Sequence, residues 1–320
     1  MRGNPPRVRL GLCCIFRQEP IKFRRTTAKF LGRLGRPEQL AALASLCRHN
    51  ADALSRALRY CSDHGIGDFR INSQILPLYT HPELGYRLKE LPGSGEIIAA
   101  FESCGSFCRQ QGLRTTFHPD QFNLLSSPSE EVTRRSIAEL DYQAELAELI
   151  GADVINIHGG GAYGDKEQAL GRVARRLKRL GPTVRERLSL ENDDRIYTPR
   201  DLLPLCRAEG IPLVYDVHHH RCLGDGMGVE EVTEAALGTW DREPLFHLSS
   251  PREGWEGKNP QYHHDYIDPA DLPAAWLETG RTLTVEVEAK AKELALDRLR
   301  RDLSGRVVFI PEDGRGMKSV

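Results

Sequence analysis

No apolar run in the sequence approaches the roughly 20 residues that a helical membrane span requires, which excludes that class. The first residues, MRGNPPRVR, are basic but lead into no apolar leader, so the expectation is a cytoplasmic protein. Eight cysteines are scattered along the chain with no CxxC pair of the kind that builds a structural zinc site, and free thiols are expected. Charge nearly cancels, 44 Lys and Arg against 45 Asp and Glu, so no global field draws the chain to nucleic acid and any such site rests on local basic patches. The densest of these, Arg172 to Arg187, reads as the solvated face of an outer helix. Internal repeats, low-complexity tracts and Ser/Gly linkers are absent too, which leaves one domain in a soluble chain of 320 residues.

What the sequence does have is alternation. Short segments rich in Val, Ile, Leu and Phe are separated by longer stretches of helical period, the pattern of a parallel sheet with crossover helices. Strands are expected near 8–15, 67–72, 114–118, 153–158, 187–191, 212–216, 244–248 and 283–288. Eight such units predict an α/β (β/α)8 TIM barrel over residues 9–305, with tails at 1–8 and 306–320. Thr198 before Pro199 reads as a helix N-cap, and Gly151 and Gly210 read as helix ends.

In such a barrel the residues at the C-terminal strand ends face the active site. Strand three ends in His118, strand four in His158, strand five in Glu191, strand six in Asp216 followed by His219, strand seven in His247, and strand eight in Glu288. A single strand-end histidine is ordinarily a satisfied structural residue; six successive strands supplying His or carboxylate to one rim is different. Burying such groups together is costly unless they pair or bind metal, and mixed N/O donors suit divalent ions. Asp216 and His219, three residues apart, could serve two neighbouring ions. His81 and His263 lie in loops that could complete the shells, while His218, His220 and His264 adjoin chosen ligands on extended chain, where neighbours point away from each other, and are read as supporting or structural residues. Two ions ~3.5–4 Å apart suit an in-line phosphoryl displacement, for which Glu191 is placed to bridge. No GxSxG elbow, P-loop or GxGxxG fingerprint competes.

From Arg9 to Leu303 the chain resembles the UV damage endonucleases, relatives of endonuclease IV among the xylose-isomerase-like barrels. The motifs are RLGLCCIF, FRINSQILPLYTHP, TFHPDQF, INIHGGGAYGDKEQAL, LSLENDD, YDVHHH, FHLSSPR, HHDYI and EVEAKAKELAL. The resemblance implies a metal-dependent cut 5′ to cyclobutane pyrimidine dimers and 6-4 photoproducts in double-stranded DNA, by a monomer using two or three divalent ions. Mn2+ is the foremost expectation, with Zn2+, Co2+ or Mg2+ as alternatives. One ion would take His118, His158 and Glu191, a second Glu191, Asp216, His247 and Glu288, and a third His219 and His263, with Asp265 as companion. His81 and Lys290 match further active-site positions, and Gln121 with Phe122 matches the pair inserted into the duplex at the lesion. Leu12 stands at the lesion-contacting position where many relatives have Tyr, Phe16 where they have Asn, Asp120 where Gly is usual, and Leu245 where they have Lys.

Two other readings share the scaffold: a sugar isomerase or epimerase that polarises a carbonyl with one or two ions, and an abasic-site endonuclease. Candidate phosphate contacts are Lys22, Arg24, Arg25, Arg252 and Lys258. A barrel that binds lesions without cutting them would lack a reason for the complete donor set.

Overall fold

In RVRLGLC, DFRI, LSLE and LTVEV apolar residues alternate with polar ones or glycine, and the alternation separates the two faces of a closed sheet. The computed structural model describes residues 6–310. Its strands are β1 (Arg7–Cys13), β2 (Asp68–Ile71), β3 (Arg114–Phe117), β4 (Val154–His158), β5 (Leu188–Glu191), β6 (Leu213–Asp216), β7 (Leu245–Leu248), β8 (Leu283–Val287) and β9 (Val308–Phe309). Strands β1 to β8 pair in parallel with their sequence neighbours, and β1 pairs with both β2 and β8, so the sheet closes into the expected (β/α)8 barrel. Outward residues such as Leu10, Leu12, Phe69, Phe117, Ile155, Leu190, Tyr215, Phe246 and Val285 form the main core against the surrounding helices.

The longer helices are α1 (Arg36–Asp63), α2 (Ser94–Gln111), α3 (Glu130–Ile150), α4 (Lys166–Leu177), α5 (Pro199–Glu209), α6 (Val217–Cys222), α7 (Val229–Leu237) and α8 (Glu293–Asp302). Thr198 caps α5 by accepting from Asp201 N, and Pro199 occupies the first helical position, where its missing N–H has no bond to make. Gly151 and Gly210 end α3 and α5 at φ of 84° and 65°, the left-handed turn that glycine adopts without a Cβ clash.

The chain ends depart from the expected tails. Arg7 and Val8 already belong to β1, and Val308–Phe309 adds a ninth strand in register with them. The reason lies in β1 itself: it pairs with β2 only at Gly11–Cys13, leaving the backbone of Val8 to accept from Ile310 N. Residues 1–5 and 311–320 of those tails lie outside the described residues.

The barrel interior is apolar only in part. Val154, Val214, Leu245 and Trp240 form a separate cluster, and inward residues closer to the C-terminal rim are polar: Asp68, Thr116, Asn156, Ser189 and Glu286. Gly11 makes room for this layer, since a Cβ there would lie 2.4 Å from Asp68 Oδ2. Asp68 is fully buried with neither carboxylate oxygen hydrogen-bonded. Burial, reinforced by the negative charge of Glu286, pushes its pKa well above the ordinary carboxylate value. The linkage sign follows: above the ordinary value the unfolded chain ionises while folded Asp68 resists, so this residue costs stability that grows as pH rises toward its folded pKa. Asp68→Asn is therefore expected to raise Tm by a few degrees in alkaline buffer and by less in acid, as thermal unfolding at several pH values would show.

Candidate metal centre

The strand ends converge as parallel pairing dictates. Register sets His158 beside Glu191 and Asp216 beside His247, with all four side chains turned inward. Glu191, 1% exposed, is the hub. His118 Nε2 lies 2.8 Å from Glu191 Oε2 and His158 Nε2 4.0 Å from the same atom, while His247 Nδ1 and His219 Nδ1 lie 3.0 and 3.4 Å from Oε1. Asn156 Nδ2 also donates to Glu191 Oε2 at 2.5 Å. Asp216 Oδ2 stands 3.5 Å from His219 Nδ1, and Glu288 stands 3.6 Å from His247 Nδ1 and 3.7 Å from His263 Nδ1. Thus the eight residues nominated as ligands lie in one connected cluster.

Within it, two triads have donor atoms all within 4.8 Å of one another: His118, Glu191 and His247, and Glu191, Asp216 and His219. Glu191 belongs to both. Asp216 and His219 fall together in the second of these triads. The cause is local: the chain does not stay extended after Asp216 but turns into α6, and Asp216 Oδ1 caps that helix by accepting from His219 N at 2.8 Å. His218, on the same helix, lies against a nominated ligand, as a supporting residue does. It is fully buried and packs edge-on to His263 with ring centroids 5.1 Å apart, whereas His220 bonds Tyr215 and Asp225 away from the cluster.

Other nominated residues are elsewhere. Leu12 is fully buried in the outward core and cannot touch a lesion; Gly11 must face inward beside Asp68, so its neighbour faces out. His81 stands apart from the donors, its Nδ1 accepting from Glu83 N and Leu84 N at 3.2 Å, in the wall of a cavity of about 570 Å³ that Phe122 also lines. Phe122 is 72% exposed, Gln121 is exposed beside it, and Asp120 joins that cavity to a second groove of about 520 Å³ containing His118, His263, Glu288 and exposed Lys290.

Sequence reasoning missed Arg70 and Glu286. Arg70 donates to Cys13 Sγ (2.7 Å) and to Glu288 Oε1, and its Nε lies 2.9 Å from Glu286 Oε2. Glu286 lies 3.0 Å from His247 Nε2 and accepts from Thr116 Oγ1. The signal was present: Arg70 in DFRI and Glu286 in TVEVEAK are charged residues at inward parity in strands whose outward residues are apolar.

The electrostatics suit ligation. Burial works to raise the Glu191 pKa, but His247, His158 and His118 outweigh it and hold the carboxyl well below its ordinary range. Burial lowers His158 and His263, leaving them neutral and able to ligate. His219 and His247 go the other way: despite burial, Asp216 and Glu191 respectively hold them well above the ordinary histidine value. Arg70 and then His247 overcome burial to keep Glu286 ionised, at about 2. Asp216 Oδ2 and His158 Nδ1 are buried without hydrogen-bond partners, the condition that a cation relieves. Imidazole nitrogens and carboxylate oxygens at these spacings fit a divalent metal ion.

A family model described as UV-endonuclease UvdE matches residues 8–310. The UV DNA damage endonuclease of Bacillus velezensis is 36% identical over 306 residues, covering 91% of this chain and 91% of that protein. The crystal structure of SacUVDE aligns with a TM-score of 0.79 and 26% identity over 92% of this chain and 98% of that one. Endonuclease IV from Thermus thermophilus shares the fold, with a TM-score of 0.59 and 17% identity over 92% of this chain and 98% of that one.

Because His219 and His247 carry protons in the metal-free cluster, adding Mn2+ to metal-free protein in weak buffer at about pH 7 is expected to release protons, and apparent affinity is expected to fall toward acid pH. An indicator dye followed during the titration reads both. Metal uptake without proton release would place the ion on other groups.

Proposed function

The chain belongs to the UV-endonuclease UvdE family, and from that premise we propose that it is a metal-dependent DNA repair hydrolase that nicks the phosphodiester backbone 5′ to pyrimidine dimers and 6-4 photoproducts. The observation that carries this reading is the convergence of His118, His158, His219, His247, Asp216 and Glu288 on the single buried carboxylate of Glu191. Two or three divalent ions held there, Mn2+ foremost, would supply a water of lowered pKa and positive charge for the reacting phosphate.

The remaining work falls to the protein's own side chains. Glu191, ionised and fixed by Asn156 from one side and by histidines from the others, belongs to both triads. Lys290, Lys292 and Arg25 line the groove beside the donors and would hold backbone phosphates in register without reading sequence. Gln121 and Phe122 project from the loop after β3, where an aromatic exposed to water has no packing role; inserted into a duplex, it would fill the gap left by an unstacked lesion. A photoproduct already weakens stacking and pairing, so the same insertion costs more in intact DNA. The exposed wedge and basic groove wall suit a polymer better than a small sugar enclosed in a pocket.

An end-labelled duplex carrying one dimer, incubated with protein and Mn2+, is expected to be cut 5′ to the lesion, and Glu191→Gln is expected to be inactive. If the wild type leaves dimers and 6-4 photoproducts intact yet cuts an abasic duplex, the substrate assignment fails; if it cuts none of the three, the nuclease reading fails. A second variant tests the wedge: Phe122→Ala should lower the preference for damaged over intact duplex by about tenfold, the scale of one lost stacking contact. Binding measured by fluorescence anisotropy checks it, with the metal content of the variant unchanged.

A further inference from the structure

Exposed apolar side chains are concentrated at one end of this molecule. Among the described residues five large ones are exposed, and four of them, Ile15, Phe122, Tyr163 and Tyr262, stand in the loops that follow β1, β3, β4 and β7, at the rim that carries the donors. Tyr163 and Tyr262 each lie beneath a guanidinium, that of Arg172 at 5.7 Å and that of Arg252 at 5.2 Å. Phe122 is the wedge described above. Ile15, 46% exposed, is left without a role, yet it lines the groove that holds His118, His263 and Glu288.

The loop that carries Ile15 is held on both sides of it. Ile15 N donates to Cys13 O at 2.8 Å across Cys14, whose φ is 65°, the tight γ turn that a residue with a Cβ adopts only under strain. Cys14 N donates to Arg70 O at 3.0 Å and ties the turn to β2. On the other side Phe16 stacks on the core residue Phe69, and the buried Glu293 carboxylate accepts from the backbone N–H groups of Arg17, Gln18 and Glu19 at 2.7, 2.6 and 3.3 Å. A branched aliphatic side chain, itself stiff at χ1, is thus fixed in an open groove beside the donors.

What such a surface fits follows from the chemistry of the lesion. Joining two pyrimidines through a cyclobutane ring makes C5 and C6 of each saturated, so that edge of the pair is puckered and aliphatic and lacks the flat π face on which aromatic side chains stack. The groove of Ile15 adjoins the cavity of Phe122 through Asp120 and Arg25, so a pair displaced from the duplex by Phe122 arrives beside Ile15. We infer that Ile15 is a specificity-determining residue, the apolar contact for the saturated edge of an extruded pyrimidine dimer. Contact with an isoleucine already ordered costs little side-chain entropy, whereas an intact pyrimidine pair, planar and still stacked in its duplex, gains nothing from it.

This inference rests on the endonuclease reading above. Incision of a duplex carrying one thymine dimer is measured with Mn2+ over a range of substrate concentrations for the wild type, Ile15→Ser and Ile15→Leu, and binding of each protein to the undamaged duplex is followed by anisotropy. Ile15→Ser is expected to lower kcat/KM on the dimer about tenfold, the scale of a lost apolar contact, with undamaged-duplex affinity, Mn2+ content and Tm as in the wild type. Ile15→Leu keeps the aliphatic volume and is expected to stay within about threefold of the wild type. Wild-type kcat/KM in Ile15→Ser, an equal loss in Ile15→Leu, or a matching loss of affinity for undamaged duplex overturns the inference and leaves the proposed function standing. A wild type that cuts no dimer overturns both.

Discussion

A single ionised carboxylate, buried at the end of β5 and ringed by imidazoles from four other segments, is the constraint around which the rest of the molecule is organised. Removing Glu191 from water is unfavourable by itself, and only the converging histidines make its charge tolerable. Those histidines come from β3, β4, β7 and α6, far apart in the chain, so the cluster exists only when the barrel is closed. Closure in turn depends on the outward faces of the same strands, where Leu, Ile, Val and aromatic residues pack against the helices. Stability is thus concentrated outside the sheet and chemistry inside it.

The inside shows what that division entails. Only Val154, Val214, Leu245 and Trp240 form an apolar plug; the layer nearer the rim is built of Asp68, Thr116, Asn156 and Glu286. A barrel selected for stability alone would fill that layer with branched aliphatic side chains. Here the polar layer holds two buried carboxylates: Asn156 donates to Glu191, and Thr116 donates to Glu286, with Arg70 Nε 2.9 Å from the latter.

The donor set was legible in the sequence because a parallel barrel places all C-terminal strand ends on one rim, so His118, His158, Glu191, Asp216, His247 and Glu288 could be collected without knowing any distance. Their spacing was not legible. How close Asp216 and His219 come depends on where strand gives way to helix, and the bond that His219 N donates to Asp216 Oδ1 there is a three-dimensional event. Leu12 was misjudged for a related reason. Its direction is set by strand parity, and parity at β1 is fixed by the need for a glycine opposite Asp68. Arg70 and Glu286 escaped attention because they lie below the rim, although charged residues at inward positions of short strands identify them in retrospect.

The ninth strand has a bearing on how this molecule comes into being. Val308–Phe309 completes a seam alongside Arg7–Val8, and β8 supplies the other flank of β1, so both neighbours of the first strand's opening residues are made long after it. Until then β1 can pair only through Gly11–Cys13, and a nascent chain holds an open sheet edge until β8 has emerged. Loss of the terminal strand would therefore act first on the yield of correctly closed molecules, through longer exposure of that edge to aggregation, before it touched the chemistry at the opposite rim.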